Sequence, residues 1–316
     1  MDAAGSDAVF AGSIPELYDT HLVPLIFEPY AADLARRVAA LGPARVLETA
    51  AGTGVVTRAL ARALPAATEL VATDLNQPML DRAAAVGTAR PVRWQAADAM
   101  QLPFDDASFD VVACQFGAMF FPDKVHAFAQ ARRVLRHGGT FLFNVWDRIE
   151  ENEFADIVTT TLAGLFPADP PRFMARTPHG HSDLDRLAQD LADAGFKTPR
   201  FETLAARSHA SSARVAAFAY CQGTPLRGEI ESRGGVTLAD ATAACTAAIA
   251  ARFGDGPVDG KIQAHVVAAT AEPVSDCRRR RDSSTEPGAC VTSLTPHACT
   301  RHPDRRRAPP DCLHWT

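Results

Sequence analysis

Basic residues are not in excess in this sequence: 32 Lys and Arg stand against 37 Asp and Glu, a formal net charge of −5. Nucleic acids and anionic bilayers are bound chiefly by neutralising their phosphates, so neither nucleic acid nor a charged membrane surface is expected as the main partner. Also missing is any run of about 18 consecutive apolar residues, and membrane insertion is therefore not expected. The opening MDAAGSDAVFAGS carries an acid where a signal peptide carries basic residues, which points to a cytoplasmic location. Cysteine is scarce before residue 270, where only Cys114, Cys221 and Cys245 occur; that usage fits occasional buried thiols and not a disulfide framework. There is no C-x-x-C pair, no H-E-x-x-H and no G-x-S-x-G. Zinc-hydrolase and serine-hydrolase chemistry thus lack their signatures, and no metal is expected.

What the chain does have is length and apolar content for a sizeable core, with 316 residues of which 47% are hydrophobic. Residues 14–41 read as one or two helices, with Leu34, Val38 and Leu41 at helical spacing and Pro24 and Pro29 as punctuation. From Ala44 short apolar runs alternate with helical ones: RVLET, VTRALARAL, ELVATD, MLDRAAAV, VRWQAAD, FDVVACQF, VHAFAQARRVL, GTFLFNVW. Such alternation specifies parallel strands joined by crossover helices, hence an α/β, Rossmann-like, doubly wound and mostly parallel sheet. The strand runs are too apolar for one wet face, so both faces should be covered.

Further on, EFADIVTTTLAGLF reads as a helix, PADPPRFMARTPHGHS as a loop that leaves His179 and His181 on the surface, and DLDRLAQDLADAGF as an amphipathic helix capped by Ser182. PRFETLAARSHA and KIQAHVVAAT read as strands. Between them Ser211 to Cys221 and Leu238 to Phe253 read as two helices. An insertion of roughly forty residues is uncommon unless functional, and it is taken as a substrate cap.

The chemistry concentrates in VLETAAGTGVVTRAL, residues 46–60, where a strand runs into an acid, a glycine turn and a helix. Gly52 and Gly54 let a ligand approach the backbone, and the helix start offers unpaired N–H groups to an anion. Two more acids stand at strand ends, Asp74 in LVATDLN and Asp98 in WQAADAMQLPF. Ligands of open parallel sheets bind outside the carboxyl ends of the strands, so Glu48, Asp74 and Asp98 should line one crevice. An acid twenty-odd residues past a glycine turn commonly takes the hydroxyls of a ribose. A nicotinamide-dependent oxidoreductase is the weaker alternative, because Thr57 stands where the third small residue of G-x-G-x-x-G belongs and Glu48 precedes a turn that would cradle pyrophosphate.

E-T-A-A-G-T-G followed by ATDLNQPML and AADAMQLPF resembles the class I S-adenosylmethionine-dependent methyltransferases, in particular the branch similar to the ubiquinone and menaquinone biosynthesis C-methyltransferases. The likeness covers about residues 30–150 and weakens toward 270. It implies a class I methyltransferase fold with S-adenosylmethionine as cofactor and a small-molecule acceptor methylated by in-line displacement. Carried over by position, Glu48, Ala50, Gly52, Thr53 and Gly54 would surround the methionine part. Asp74 would hold the ribose, Leu75 and Met79 would pack on the adenine, Asp98 with the Ala99 backbone would read its edge, and Gln115 would sit near the methionyl end. Ala50 stands where many members have glycine, and Ala51 where the closest pattern has cysteine. The implied division is a helical lid over 1–42, an S-adenosylmethionine-binding core over 43–150, the rest of the sheet with its cap at about 211–254 over 151–272, and a tail over 273–316.

Methyl transfer needs no protein nucleophile, since alignment and exclusion of water suffice. A base is needed only where the acceptor must lose a proton; Tyr18, His21 and Tyr220 are the candidates. Phe116, Met119, Phe120, Asn144 and Trp146 are further candidates to cover the methyl end. A catalytically silent cofactor-binding regulatory or partner protein is the alternative of a different class. The tail shifts abruptly to Arg, Pro, Ser, Thr, Cys and His without apolar periodicity, and reads as disordered. Its Cys277, Cys290, Cys299, His302 and Cys312 lack paired zinc spacing, and the abruptness suggests a reading frame lost near residues 271–276.

Overall fold

The computed structural model describes residues 7, 10 and 12–272. The expectations for the tail, disorder, a frame shift and its cysteines included, lie outside the described residues. Helix α1 (Ile14–Leu17) runs into a π-helical segment, Tyr18–Phe27, and then into α2 (Glu28–Ala40). The sequence reading expected ordinary helix here, and Pro24 is the reason for the difference. Proline has no N–H to donate and crowds the carbonyl four residues back; the widened turn relieves that crowding, and Glu28 N–H bonds to the Val23 carbonyl five residues earlier. Pro29 then sits in the first turn of α2, where a missing N–H costs nothing.

The alternating region forms as expected: β1 (Arg45–Glu48), α3 (Val55–Ala63), β2 (Glu69–Asp74), α4 (Gln77–Val86), β3 (Arg93–Ala96), β4 (Phe109–Gln115), α5 (Lys124–Val134) and β5 (Leu135–Trp146). Beyond it lie α6 (Glu153–Leu165), a short α7 (Phe173–Arg176), α8 (Leu184–Asp193) and β6 (Lys197–Ala210). The chain then forms α9 (Ala213–Gln222), α10 (Leu226–Arg233), α11 (Leu238–Phe253) and β7 (Val258–Thr270). All strands join one sheet in the order β3-β2-β1-β4-β5-β7-β6, with β7 antiparallel to both its neighbours and the other pairings parallel. The order turns back between β1 and β4, so a crevice opens at their carboxyl ends.

Both sheet faces are dry. Leu34, Val46, Leu60, Val111 and Leu142 pack in one apolar cluster, while Leu47, Val112, Phe128, Phe143 and Leu187 pack in another. Successive strand residues point to opposite faces, so covering both faces requires the unbroken apolar strands that the sequence shows.

Two local expectations are corrected. The cap of α8 is Asp183 and not Ser182: its carboxylate accepts from the N–H groups of Asp185 and Arg186 at 3.0 and 3.1 Å. An acidic side chain one residue nearer the helix also suits the positive end of the helix dipole. The insertion holds three helices where two were read. Helix α10 escaped notice because only Leu226 and Ile230 are buried in it, a single i, i+4 pair too sparse to show a period.

Candidate functional site

The turn after β1 is fastened to its neighbours by backbone hydrogen bonds. Thr49 N–H donates to the Ala113 carbonyl and Ala51 N–H to the Thr73 carbonyl, each at 2.9 Å. Gly52 N–H donates to Asp74 Oδ2 at 2.8 Å, and Asn76 N–H to Asp74 Oδ1 at 2.8 Å. Burial raises the Asp74 carboxyl above the ordinary carboxylate range, and the N–H groups of Asn76 and Gly52 oppose that rise. Ala50 has φ +52° and Phe116, at the end of β4, has φ +53°. Left-handed backbone costs a non-glycine residue about 1–2 kcal/mol, and it gathers at functional sites held by their surroundings. Between these two turns a side chain on Gly117 would bring its Cβ to 2.3 Å from that of Ala50. Only glycine permits that approach.

A cavity of about 570 Å³ opens beside these turns. Ala50, Gly52, Asp74, Leu75 and Met79 line it from β1, β2 and α4, and Asp98, Ala99 and Gln115 from β3 and β4. Leu75 is 61% exposed, an apolar side chain left open next to the buried acid. Asp98 Oδ1 accepts from Met100 N–H at 2.8 Å.

Glu48, Thr53 and Gly54 are not among the lining residues, and the expectation of three acids in one crevice is corrected to two. Strand alternation places Glu48 on the face of Val46, beneath α3, where it is 2% exposed and accepts from Thr57 Oγ1 at 2.6 Å. Burial pushes its carboxyl up to about 8, against the Thr57 hydrogen bond and with a smaller contribution from Asp74. Thr57 thus fills the position of the third small residue with a buried latch. Gly54 has φ +82°, and a Cβ there would come within 3.0 Å of Trp94 and 3.1 Å of Ala83. Thr53 is buried, with Oγ1 unpartnered among the described residues.

A smaller cavity of about 50 Å³ adjoins the first, and Phe10, Tyr18, Phe116 and Phe120 wall both. Phe116 stacks on Trp146 at 3.8 Å with planes 4° apart, and Tyr18 on Phe27 at 5.2 Å. The structure brings Tyr18 and Tyr220 together here with Met119, Phe120 and Trp146. His21 lies apart, edge-on to Phe218 at 5.1 Å. Asn144 lines neither cavity; it is fully buried, with both side-chain polar atoms unpartnered among the described residues. The expectation of a surface His179 is corrected: it is 7% exposed, its Nδ1 is 2.8 Å from the Asp147 carbonyl, and burial lowers its pKa to about 4. His181 is lowered to about 4 by the same cause. The loop folds inward because Phe173 and Met174 anchor it in the core.

Sequence reasoning missed Phe10, Asn76, Met100 and Gly117, which also line the larger cavity. Gly117 had a signal, a glycine two residues after a strand end. Phe10 had none, because its place depends on chain 66 residues away, where Asn76 Oδ1 accepts its N–H at 3.4 Å. Among the described residues no cluster of His, Cys, Asp and Glu forms a metal site, and no single helix is long and apolar enough to cross a membrane.

Comparison with known proteins bears on the same region. A methyltransferase domain family matches residues 47–143. The chain is 32% identical over 173 residues to the ubiquinone/menaquinone biosynthesis C-methyltransferase UbiE of Ectopseudomonas mendocina (strain ymp), covering 51% of this chain and 68% of that protein. With the protein of the same description from Burkholderia mallei (strain SAVP1) it shares 33% over 172 residues, 51% and 70% of the two chains. The YcgJ protein of Bacillus subtilis shares the fold at 18% identity and a TM-score of 0.50, over 78% of this chain and 99% of that one.

Proposed function

This chain belongs to the class I S-adenosylmethionine-dependent methyltransferases, and we propose from that premise that it methylates a small-molecule acceptor with the cofactor held in the 570 Å³ cavity. The observation that carries the reading is Asp74, buried at the end of β2 and fixed by two N–H groups. The Asn76 side-chain Nδ2 lies 3.5 Å from the same carboxylate; a carboxylate accepts about four hydrogen bonds, so this one keeps capacity for a ligand hydroxyl. Leu75 beside it offers an open apolar platform for a heteroaromatic ring, closed beneath by Met79. Asp98 and the Ala99 backbone are placed to read that ring's edge, and Ala50 and Gly52 to let a ligand lie against the backbone. Gln115 faces the methionyl end in this reading. Glu48, Thr53 and Gly54 act from beneath, shaping the turn without touching the ligand.

When bound, S-adenosylmethionine supplies an activated methyl group on a cationic sulfur. The chain's share is to orient an acceptor and exclude water. The π-helical segment and α9, which supply Tyr18 and Tyr220 to the aromatic wall, are the working faces of the lid and cap. Burial raises both phenols above the ordinary tyrosine value, so they serve as hydrogen-bond donors and not as bases.

Calorimetric titration of S-adenosylmethionine and of NADH into the wild type and Asp74→Ala tests the assignment. S-adenosylmethionine should bind the wild type, lose about 100-fold or more in the variant, and NADH should give no heat; removing a charged acceptor and orphaning its donors costs about 2–3 kcal/mol. A folded wild type that does not bind S-adenosylmethionine would falsify the reading.

A further inference from the structure

One apolar layer of the sheet ends in two carboxamides. On the face covered by α2, Val111 and Ala113 of β4 and Leu142 of β5 are buried among hydrocarbon. Strand alternation carries that row on to Gln115 of β4 and Asn144 of β5, and these two are registered partners in the parallel pairing of their strands. Registered side chains stand on one face of the sheet, with the strands about 4.8 Å apart. On its other side Asn144 is paired with Val266 of β7, whose side chain offers nothing to an amide.

Asn144 is 0% exposed, and neither its Oδ1 nor its Nδ2 has a hydrogen-bond partner among the described residues. An amide buried in this way forfeits its hydration with no return, a loss that a leucine of nearly the same shape would avoid. Gln115 is half satisfied: its Nε2 donates to the Phe27 carbonyl at 3.3 Å, at the end of the π-helical segment, while its Oε1 is buried and unpartnered among the described residues. The unmet acceptor of one carboxamide and the unmet donor of the other thus stand side by side, and the last torsion of each side chain is broad enough to join them. Asn144 also steadies the adjoining turn, since its backbone carbonyl accepts from Phe116 N–H at 3.1 Å.

We infer that Asn144 is a positioning residue for the cofactor and acts through Gln115. With ligand bound, Asn144 Nδ2 donates to Gln115 Oε1 and so fixes the direction of the Gln115 amino group. That group has two hydrogens to donate. One goes to the Phe27 carbonyl, and the other is left for a hydrogen-bond acceptor in the larger cavity, which Gln115 lines. The carboxylate of the methionyl part is the acceptor that the methyl-transfer reading puts there, and the inference rests on that reading. An amide that weakens its own apolar layer is then retained for the neighbour it orients.

The test compares S-adenosylhomocysteine with methylthioadenosine, which carries the same adenosine and sulfur without the amino-acid end, in calorimetric titrations of the full chain. In Asn144→Leu, S-adenosylhomocysteine should weaken about tenfold, as for one hydrogen bond to a charged group, while methylthioadenosine stays within about twofold. Gln115→Leu should give the same pattern, and the double variant should bind no more weakly than Gln115→Leu alone, because the two residues act as a unit. Asn144→Leu should melt at or above the wild-type temperature, having lost an unsatisfied amide. Asn144→Val, smaller and well suited to a strand, repeats the measurement with less demand on space. Equal weakening of both ligands, an S-adenosylhomocysteine affinity within about twofold of the wild type, additive losses in the double variant, or melting well below the wild type in both Asn144 variants would each overturn the inference. Wild-type heats, recorded first, read the cofactor assignment separately: a folded wild type that binds neither ligand sinks the methyl-transfer reading, whereas one that binds both, with Asn144→Leu no different, sinks only the role of Asn144.

Discussion

Around Asp74 the cavity wall is fixed by hydrogen bonds of 2.8 Å from the backbone of Gly52 and Asn76, whereas across Phe116 it is made of rings with centroids 3.8 to 6.0 Å apart. Directional bonds define one geometry; ring packing tolerates several of similar energy. The polar half draws its wall mainly from residues 50 to 100, while the aromatic half brings Tyr18 to the same place as Tyr220. The difference teaches that a wall of fixed geometry is built from a short, hydrogen-bonded stretch of chain, and one of looser geometry from side chains gathered from distant elements.

The strongest way to break this contrast is Asp74→Ala, for which a loss of about 100-fold in S-adenosylmethionine affinity is expected by calorimetry. A loss of less than about threefold would show that the hydrogen-bonded half does not set the affinity. Gly117→Ala acts at their joint. Its new Cβ would meet that of Ala50 at 2.3 Å and Cys114 Sγ at 2.9 Å, so a destabilisation of about 1–3 kcal/mol is expected. Thermal denaturation should register it as a fall of about 2–12 °C.

A smaller effect separates the turn's foundation from its surface. The Glu48 carboxyl, held near 8 in the folded protein against an ordinary 4.5, keeps its proton over a pH range in which the unfolded chain has lost it. Its contribution to stability therefore falls as pH rises from about 4.5 to about 8, by up to about 1.4 kcal/mol per pH unit, and is level outside that window. Urea denaturation of Glu48→Gln from pH 5 to 8 should show a flatter profile than the wild type; parallel profiles would mean that Glu48 is ionised when folded. The mildest change is Ala50→Gly. Relief of left-handed strain, less the greater freedom of unfolded glycine, should stabilise by about 0.5–1 kcal/mol, and a lower melting temperature would contradict the strain argument.

Legibility followed the same divide. The sheet was readable because both its faces are buried, which writes β1, β2, β4 and β5 as apolar runs between helical ones. That Asp74, Asp98 and the turn at Ala50 to Gly52 line one crevice was readable because strand ends meet at the switch point of the sheet. Glu48 was misplaced because adjacency in sequence does not tell which sheet face a strand's last residue takes; the alternation from Val46 would have told it. His179 was misplaced because a proline-rich segment reads as solvated until Phe173 and Met174 are seen to draw it inward. Helix α10 and the π-helical turn at Pro24 fell to weak periodicity and to a local steric conflict.

The sequence by itself determined the parallel sheet, its switch point and the acids at the strand ends, because those depend on local pattern and on backbone rules that act within a few residues. Only the tertiary structure decided that Tyr18, Phe116, Trp146 and Tyr220 share one apolar cavity, that Glu48 is buried away from the larger cavity, and that Phe10 reaches the same wall. Those placements depend on packing between elements far apart in the chain, a free energy summed over many weak contacts that no short stretch of sequence records.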